Sequence, residues 1–156
     1  NEYAAVVAGS GITPVISILK GVLKKEAHSK FVLVYGNKTP QETIYFKELL
    51  AIQQEFPDRV FIEFVYSQAK DKDSFFGRIE RSTVNYVLNN KFKNHQFKVI
   101  YLCGPEPMID LVKGVLLEHE IEEERIHFEL FTSSQTGEIE ANLEGKTKIK
   151  VFVDDE

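Results

Sequence analysis

Two short glycine-bearing segments hold the residues best suited to chemistry. The first is Gly9-Ser10-Gly11-Ile12-Thr13-Pro14, which follows Tyr3 to Ala8, an apolar run of strand length. Glycines let a backbone approach a pyrophosphate closely, and a helix starting at such a turn offers free N–H groups and the positive end of its dipole. The spacing is G-x-G-x-x-P, and Pro14 stands where the dinucleotide fingerprint would have its third glycine. The second strand also ends in Gly36-Asn37-Lys38 rather than in a ribose-binding carboxylate. The second segment is Cys103-Gly104-Pro105-Glu106-Pro107-Met108, after the apolar run Phe97 to Leu102. A thiol at a strand's carboxyl end lies on the side of a parallel sheet where ligands bind. Both segments have a plainer reading. Gly9 and Gly11 can simply make a tight strand-to-helix turn, and Cys103 can be a small buried hydrophobe.

Other chemistries find no support. Gly9-Ser10-Gly11 lacks the outer glycines of a nucleophile elbow, and Gly145-Lys146-Thr147 resembles a phosphate loop only at its end, since residue 140 is Glu. His28, His95, His119 and His127 have no metal-ligand spacing, and a single cysteine allows no internal disulfide, so no metal site is expected. The net charge of -5, from 19 basic and 24 acidic residues, argues against nucleic-acid binding. No apolar run approaches the roughly 18–20 residues that span a bilayer. A lone thiol suits a reducing compartment, and a cytoplasmic location is expected.

The elements that must position these residues follow from the apolar pattern. Strands are expected at Tyr3 to Ala8, Phe31 to Tyr35, Val60 to Tyr66, Phe97 to Leu102 and Arg125 to Phe131. Thr13 is expected to cap a first helix, with Pro14 at its first position and Val15, Ile18, Leu19, Val22 and Leu23 on one face. A second helix carries Tyr45, Leu49, Ile52 and Phe56. A third, capped by Ser82, carries Val84, Val87 and Leu88, and a fourth carries Met108, Leu111, Val112, Val115 and Leu116. The stretch Ser67 to Ser74 is too polar for core. Alternating strands and helices with short connections predict a doubly wound α/β fold, an open sheet of about five parallel strands with helices on both faces. Residues 1–132 are read as the domain, 133–147 as a linker, and 148–156 as the start of something else.

Taken in order, A-G-S-G-I-T-P (8–14), L-V-Y-G-N-K (33–38), L-C-G-P-E-P-M (102–108) and H-F-E-L-F (127–131) resemble the NAD(P)-binding domain of the ferredoxin-NADP reductase superfamily. The resemblance covers about residues 3–132. It is strongest to the reductase components of multicomponent oxygenases, those of the phenylacetyl-CoA oxygenases among them. It implies that Gly9, Ser10, Gly11, Ile12, Thr13 and Pro14 cradle the pyrophosphate of NAD(P)H, with Tyr35, Gly36, Asn37 and Lys38 also on the cofactor. Cys103, Gly104, Pro105 and Met108 would line the nicotinamide side, Cys103 near the hydride-donating carbon. Glu129 and Phe131 would face a flavin. Ser67 and Gln68 stand where the family reads the adenosine ribose or its 2′-phosphate. Gln68 departs from the Ser-Arg of many NADP-using relatives and removes a bidentate phosphate partner, although Lys38 and Arg78 could supply charge. NADH and NADPH both stay open, with Gln68 favouring NADH.

The resemblance further implies that FAD sits in a preceding domain and a [2Fe–2S] cluster in a following ferredoxin domain, whose first strand 148–156 (KIKVFVDDE) is similar to. The chain is then expected to be a piece of a longer flavoprotein oxidoreductase, inactive by itself, whose partners are its own FAD and ferredoxin domains and a terminal oxygenase. A flavohaemoglobin-type or cytochrome b5 reductase-type parent is an alternative within the superfamily. A flavodoxin-like FMN-binding or signalling module is the alternative outside it.

Overall fold

The computed structural model describes residues 1–72 and 74–130. Its strands are β1 (Glu2–Ala8), β2 (Lys30–Asn37), β3 (Val60–Tyr66), β4 (Phe75–Phe76), β5 (Val99–Gly104) and β6 (Ile126–Leu130). Its α-helices are α1 (Ile12–Lys25), α2 (Phe46–Glu55), α3 (Arg81–Tyr86) and α4 (Glu106–Glu118). The strands form one sheet in the order β4-β3-β2-β1-β5-β6, and every pairing is parallel.

Central strands in such a sheet are covered on both faces, which is why β1, β2 and β3 read as nearly unbroken apolar runs. Alternate side chains serve opposite layers. Tyr3, Ala5 and Val7 pack with Val15 and Leu19 of α1 and Leu49 of α2. Ala4 and Val6 pack with Val84 of α3 and with Ile109, Val112 and Val115 of α4. The chain winds from β1 outward through β2 and β3, then crosses back to β5. The strand order therefore reverses between β1 and β5, and loops there diverge to leave a crevice at the carboxyl ends of the strands.

Several expectations need correction. The sheet has six strands rather than about five. The two-residue β4 is too short to show a period, yet it pairs Val65 with Phe75 and Tyr66 with Phe76. Thr13 does not cap α1. A 3-10 turn at Gly9–Gly11 runs straight into the helix, so winding begins before Thr13, which lies exposed inside α1 with Pro14 beside it. Ser82 does not cap α3 either. Glu80 is the cap residue, and its N–H donates to the Thr83 hydroxyl at 3.3 Å. Tyr45 is left out of the α2 face because it precedes the helix in a left-handed conformation, φ 62°. Cys103 lies within β5, which ends one residue later. Phe131, the linker at 133–147 and the segment 148–156 lie outside the described residues.

Candidate functional site

At the carboxyl ends of the strands lies a cleft of about 600 Å³. Ala8 and Gly9 line it around the end of β1, Gly36, Asn37 and Lys38 around the end of β2, and Val65 and Ser67 around the end of β3. Gly77, Arg78 and Ile79 contribute the wall after β4, and Pro105, Pro107, Met108 and Leu111 the wall at the start of α4. Glu42 and Ile44 close it from the loop after β2. Eight of the residues expected from the sequence thus meet on one surface: Gly9, Gly36, Asn37, Lys38, Ser67, Arg78, Pro105 and Met108. The sequence reading missed Glu42 and Ile44, which carry no motif and reach the cleft only through the fold. Pro107 and Leu111 were visible, but as motif filler and as helix face.

The two glycines of the turn have different reasons to be glycine. Gly9 has φ +59°, and a Cβ there would meet nothing within 4 Å. It turns the chain out of β1 and leaves its outer side open. Gly11 is buried, and a Cβ on it would stand 2.7 Å from the Cys103 carbonyl oxygen. Its glycine is required by packing against β5, not by access from the cleft. Ile12 is fully buried, and its N–H is already engaged by the carbonyls of Gly9 and Ser10. Ser10, Thr13, Pro14 and Gln68 do not line the cleft.

Two further glycines shape the floor. A Cβ on Gly36 would lie 3.0 Å from Ile79 Cδ1, and one on Gly104 would lie 2.9 Å from Met108 Cε. Gly104 therefore lets Met108 fold across the end of β5. Tyr35 is also off the surface. It is fully buried, and its hydroxyl lies 3.1 Å from the Gly9 carbonyl oxygen and 3.2 Å from that of Ile44. Burial pushes its phenol up to about 12.

The cleft is poor in compensated charge. Lys38 and Arg78 line it with no ion pair among the described residues, and Glu42 brings one carboxylate. The Asn37 side-chain Nδ2 is buried beside the Tyr35 hydroxyl. Two free cations and an open glycine turn suit an elongated anionic ligand.

Cys103 and Glu129 form a separate pair. They are register partners on β5 and β6, so their side chains share one face of the sheet. Cys103 is buried, and burial, with Glu129 adding to it, pushes the thiol up to about 12. It remains protonated near neutrality and is not a nucleophile. Burial likewise raises the Glu129 carboxyl. Neither residue lines the cleft, although Pro105, two residues after Cys103, does.

Residues 6–114 match the family described as the oxidoreductase NAD-binding domain. The chain belongs to that family. This NAD-binding domain is 30% identical over 137 residues to one of the subunits of the 1,2-phenylacetyl-CoA epoxidase of Escherichia coli (strain K12), a match covering 87% of this chain and 38% of that protein. It is 34% identical over 113 residues to NADH-cytochrome b5 reductase 2-B of Vanderwaltozyma polyspora, covering 69% of this chain and 36% of that protein. The chain thus spans less than two-fifths of either relative. The fold matches the CS-b5R domains of human Ncb5or in their NAD+ form with a TM-score of 0.71, at 24% identity, over 82% of this chain and 36% of that one. No helix among the described residues is long and apolar enough to cross a membrane.

Proposed function

We propose that the cleft binds NAD(P)H and presents its nicotinamide for hydride transfer to an FAD held by another domain of a longer protein. The observation that carries this reading is the meeting, at the switch point of a parallel sheet, of the open Gly9 turn and the unpaired Lys38 and Arg78. Gly9 and its neighbour Ser10 would hold the pyrophosphate. Ser67 would donate to a ribose oxygen beside Asn37, with Lys38 and Arg78 answering the phosphate charge. Pro105 and Met108 would set the nicotinamide end, flanked by Cys103, Gly104 and Glu129. Bound nicotinamide supplies the hydride, and the chain's own task is to hold and orient it. No residue is required to act as a general acid or base.

In the longer protein, electrons would pass from the FAD through a [2Fe–2S] centre to an oxygenase. Residues 1–132 would form the nucleotide domain, 133–147 a linker, and 148–156 the first strand of the ferredoxin domain. The sequence resemblance to oxygenase reductases supports this route, as does a relative that belongs to an epoxidase. The test is a rate assay on the 156-residue chain. It should bind NADH yet oxidise it no faster than buffer, because the electron acceptor lies elsewhere. Substantial NAD(P)H oxidation by the flavin-free chain would overturn the proposal.

A further inference from the structure

Tyr35 lies beneath the cleft and joins two of the segments that line it. Its hydroxyl lies within hydrogen-bond distance of the carbonyl of Gly9, at the end of β1, and of the carbonyl of Ile44, in the loop after β2, with the Asn37 side chain beside it. Both carbonyls belong to irregular backbone. Gly9 sits at φ +59°, and the Ile44 carbonyl belongs to the peptide that precedes Tyr45 at φ 62°. A tyrosine in the left-handed region is strained by about 1–2 kcal/mol, and such backbone persists only where its surroundings hold it. The Tyr35 ring is fully buried in the core, so it is a fixed post, and the hydroxyl is the only polar group of its side chain.

We infer that Tyr35 is a positioning residue whose hydroxyl ties the Gly9 turn to the Ile44 loop and so holds that turn where the pyrophosphate of a dinucleotide would rest. The inference rests on the nucleotide reading above. It assigns Tyr35 no contact with the ligand. Its effect is preorganisation: two lining segments already held together need not be ordered during binding. A ligand whose pyrophosphate rests on the Gly9 turn gains from the tie, and adenosine, which has no phosphate, does not.

The experiment is titration of the 156-residue chain with NAD+ and with adenosine, in wild type, Tyr35→Phe and Tyr3→Phe. Tyr3→Phe is the control. Its hydroxyl bonds Glu26 at 2.9 Å at the other end of the same sheet, so its removal reports what loss of a sheet tyrosine hydroxyl does in general. Tyr35→Phe should weaken NAD+ binding roughly five- to tenfold, the worth of one neutral hydrogen bond, and leave adenosine binding unchanged. Tyr3→Phe should leave both unchanged. Equal NAD+ affinity in wild type and Tyr35→Phe overturns the inference, as does a proportionate loss for NAD+ and adenosine. A wild-type chain that binds no NAD+ overturns the nucleotide reading itself. Should Tyr35→Phe not fold, hydrogen exchange on the wild type decides. NAD+ should slow the amides of residues 9–11 and 43–45 together, and protection of one segment only contradicts the tie.

Discussion

A Cβ atom on Gly11 would stand 2.7 Å from the carbonyl oxygen of Cys103. The turn after β1 and the carboxyl end of β5 are thus packed backbone to backbone, and the two motifs that stand out in the sequence are parts of one contact. Gly11→Ala should force the turn off β5 and destabilise the chain by about 1–3 kcal/mol, the range for overpacking a core. Gly9→Ala should cost about 1–2 kcal/mol, from its left-handed φ alone. Urea denaturation of the two variants separates them from wild type. Nucleotide titration of Gly9→Ala should show weakened binding, since the added methyl enters the open side of the turn.

At high pH, the buried thiol should limit stability. Cys103 is raised from 9.0 to about 12, so the folded state keeps its proton where the unfolded chain would release it. The stability this represents is complete below pH 9 and declines as pH rises towards 12. Tyr35, raised from 10.0 to about 12, adds to the same decline from pH 10. Cys103→Ala should flatten the early part of that limb in a series of thermal melts from pH 8 to 11. The native thiol should also resist alkylation at pH 8, where unfolded protein reacts.

At low pH, the amino-terminal end of the sheet should fail first. Hydrogen bonds from Ser29, then Tyr3 and Asn1, hold the Glu26 carboxyl down to about 2 from 4.5. Its contribution is present above pH 4.5 and is lost as pH falls through 2. Glu26→Gln should therefore remove part of the acid dependence of the melting temperature between those values. An acid limb identical in the variant would show that these hydrogen bonds do not differ between the folded and unfolded states.

The start of α3 offers a small, clean contrast. Thr83→Ala removes the acceptor of the Glu80 N–H and should cost about 0.5 kcal/mol, the low end for an exposed hydrogen bond. Ser82→Ala removes no side-chain hydrogen bond found in the structure and should be neutral. Chemical denaturation midpoints of the two variants check this.

These contrasts show what the sequence made legible. The buried runs of β1 and β3 were readable because both faces of those strands meet helices, and the glycine turn was readable because glycine stands where a strand becomes a helix. Other features depend on partners distant in the chain. Nothing near Gly11 says that Cys103 will fill the space a side chain would need. Ile44 reaches the cleft through a fold of the β2–α2 loop that has no period. Thr13 and Ser82 have good cap chemistry, but at Thr13 the backbone is already helical and at Ser82 the cap lies two residues earlier. Tyr35 adjoins Gly36 in the sequence and so falls among the expected cofactor residues. The alternation of a strand points it into the core instead.

The most direct test of the nucleotide cleft is an amide chemical-shift titration of the isotopically labelled 156-residue chain with NAD+. Saturable shifts should concentrate on Gly9, Ser10, Gly36, Asn37, Ser67 and Met108, around the 600 Å³ cleft at the carboxyl ends of the strands. A second cavity, lined by Phe92, His95, Phe97 and His119, lies at the other end of β5 and should stay silent. Shifts centred on that second cavity, or no saturable shifts at millimolar NAD+, would contradict the account.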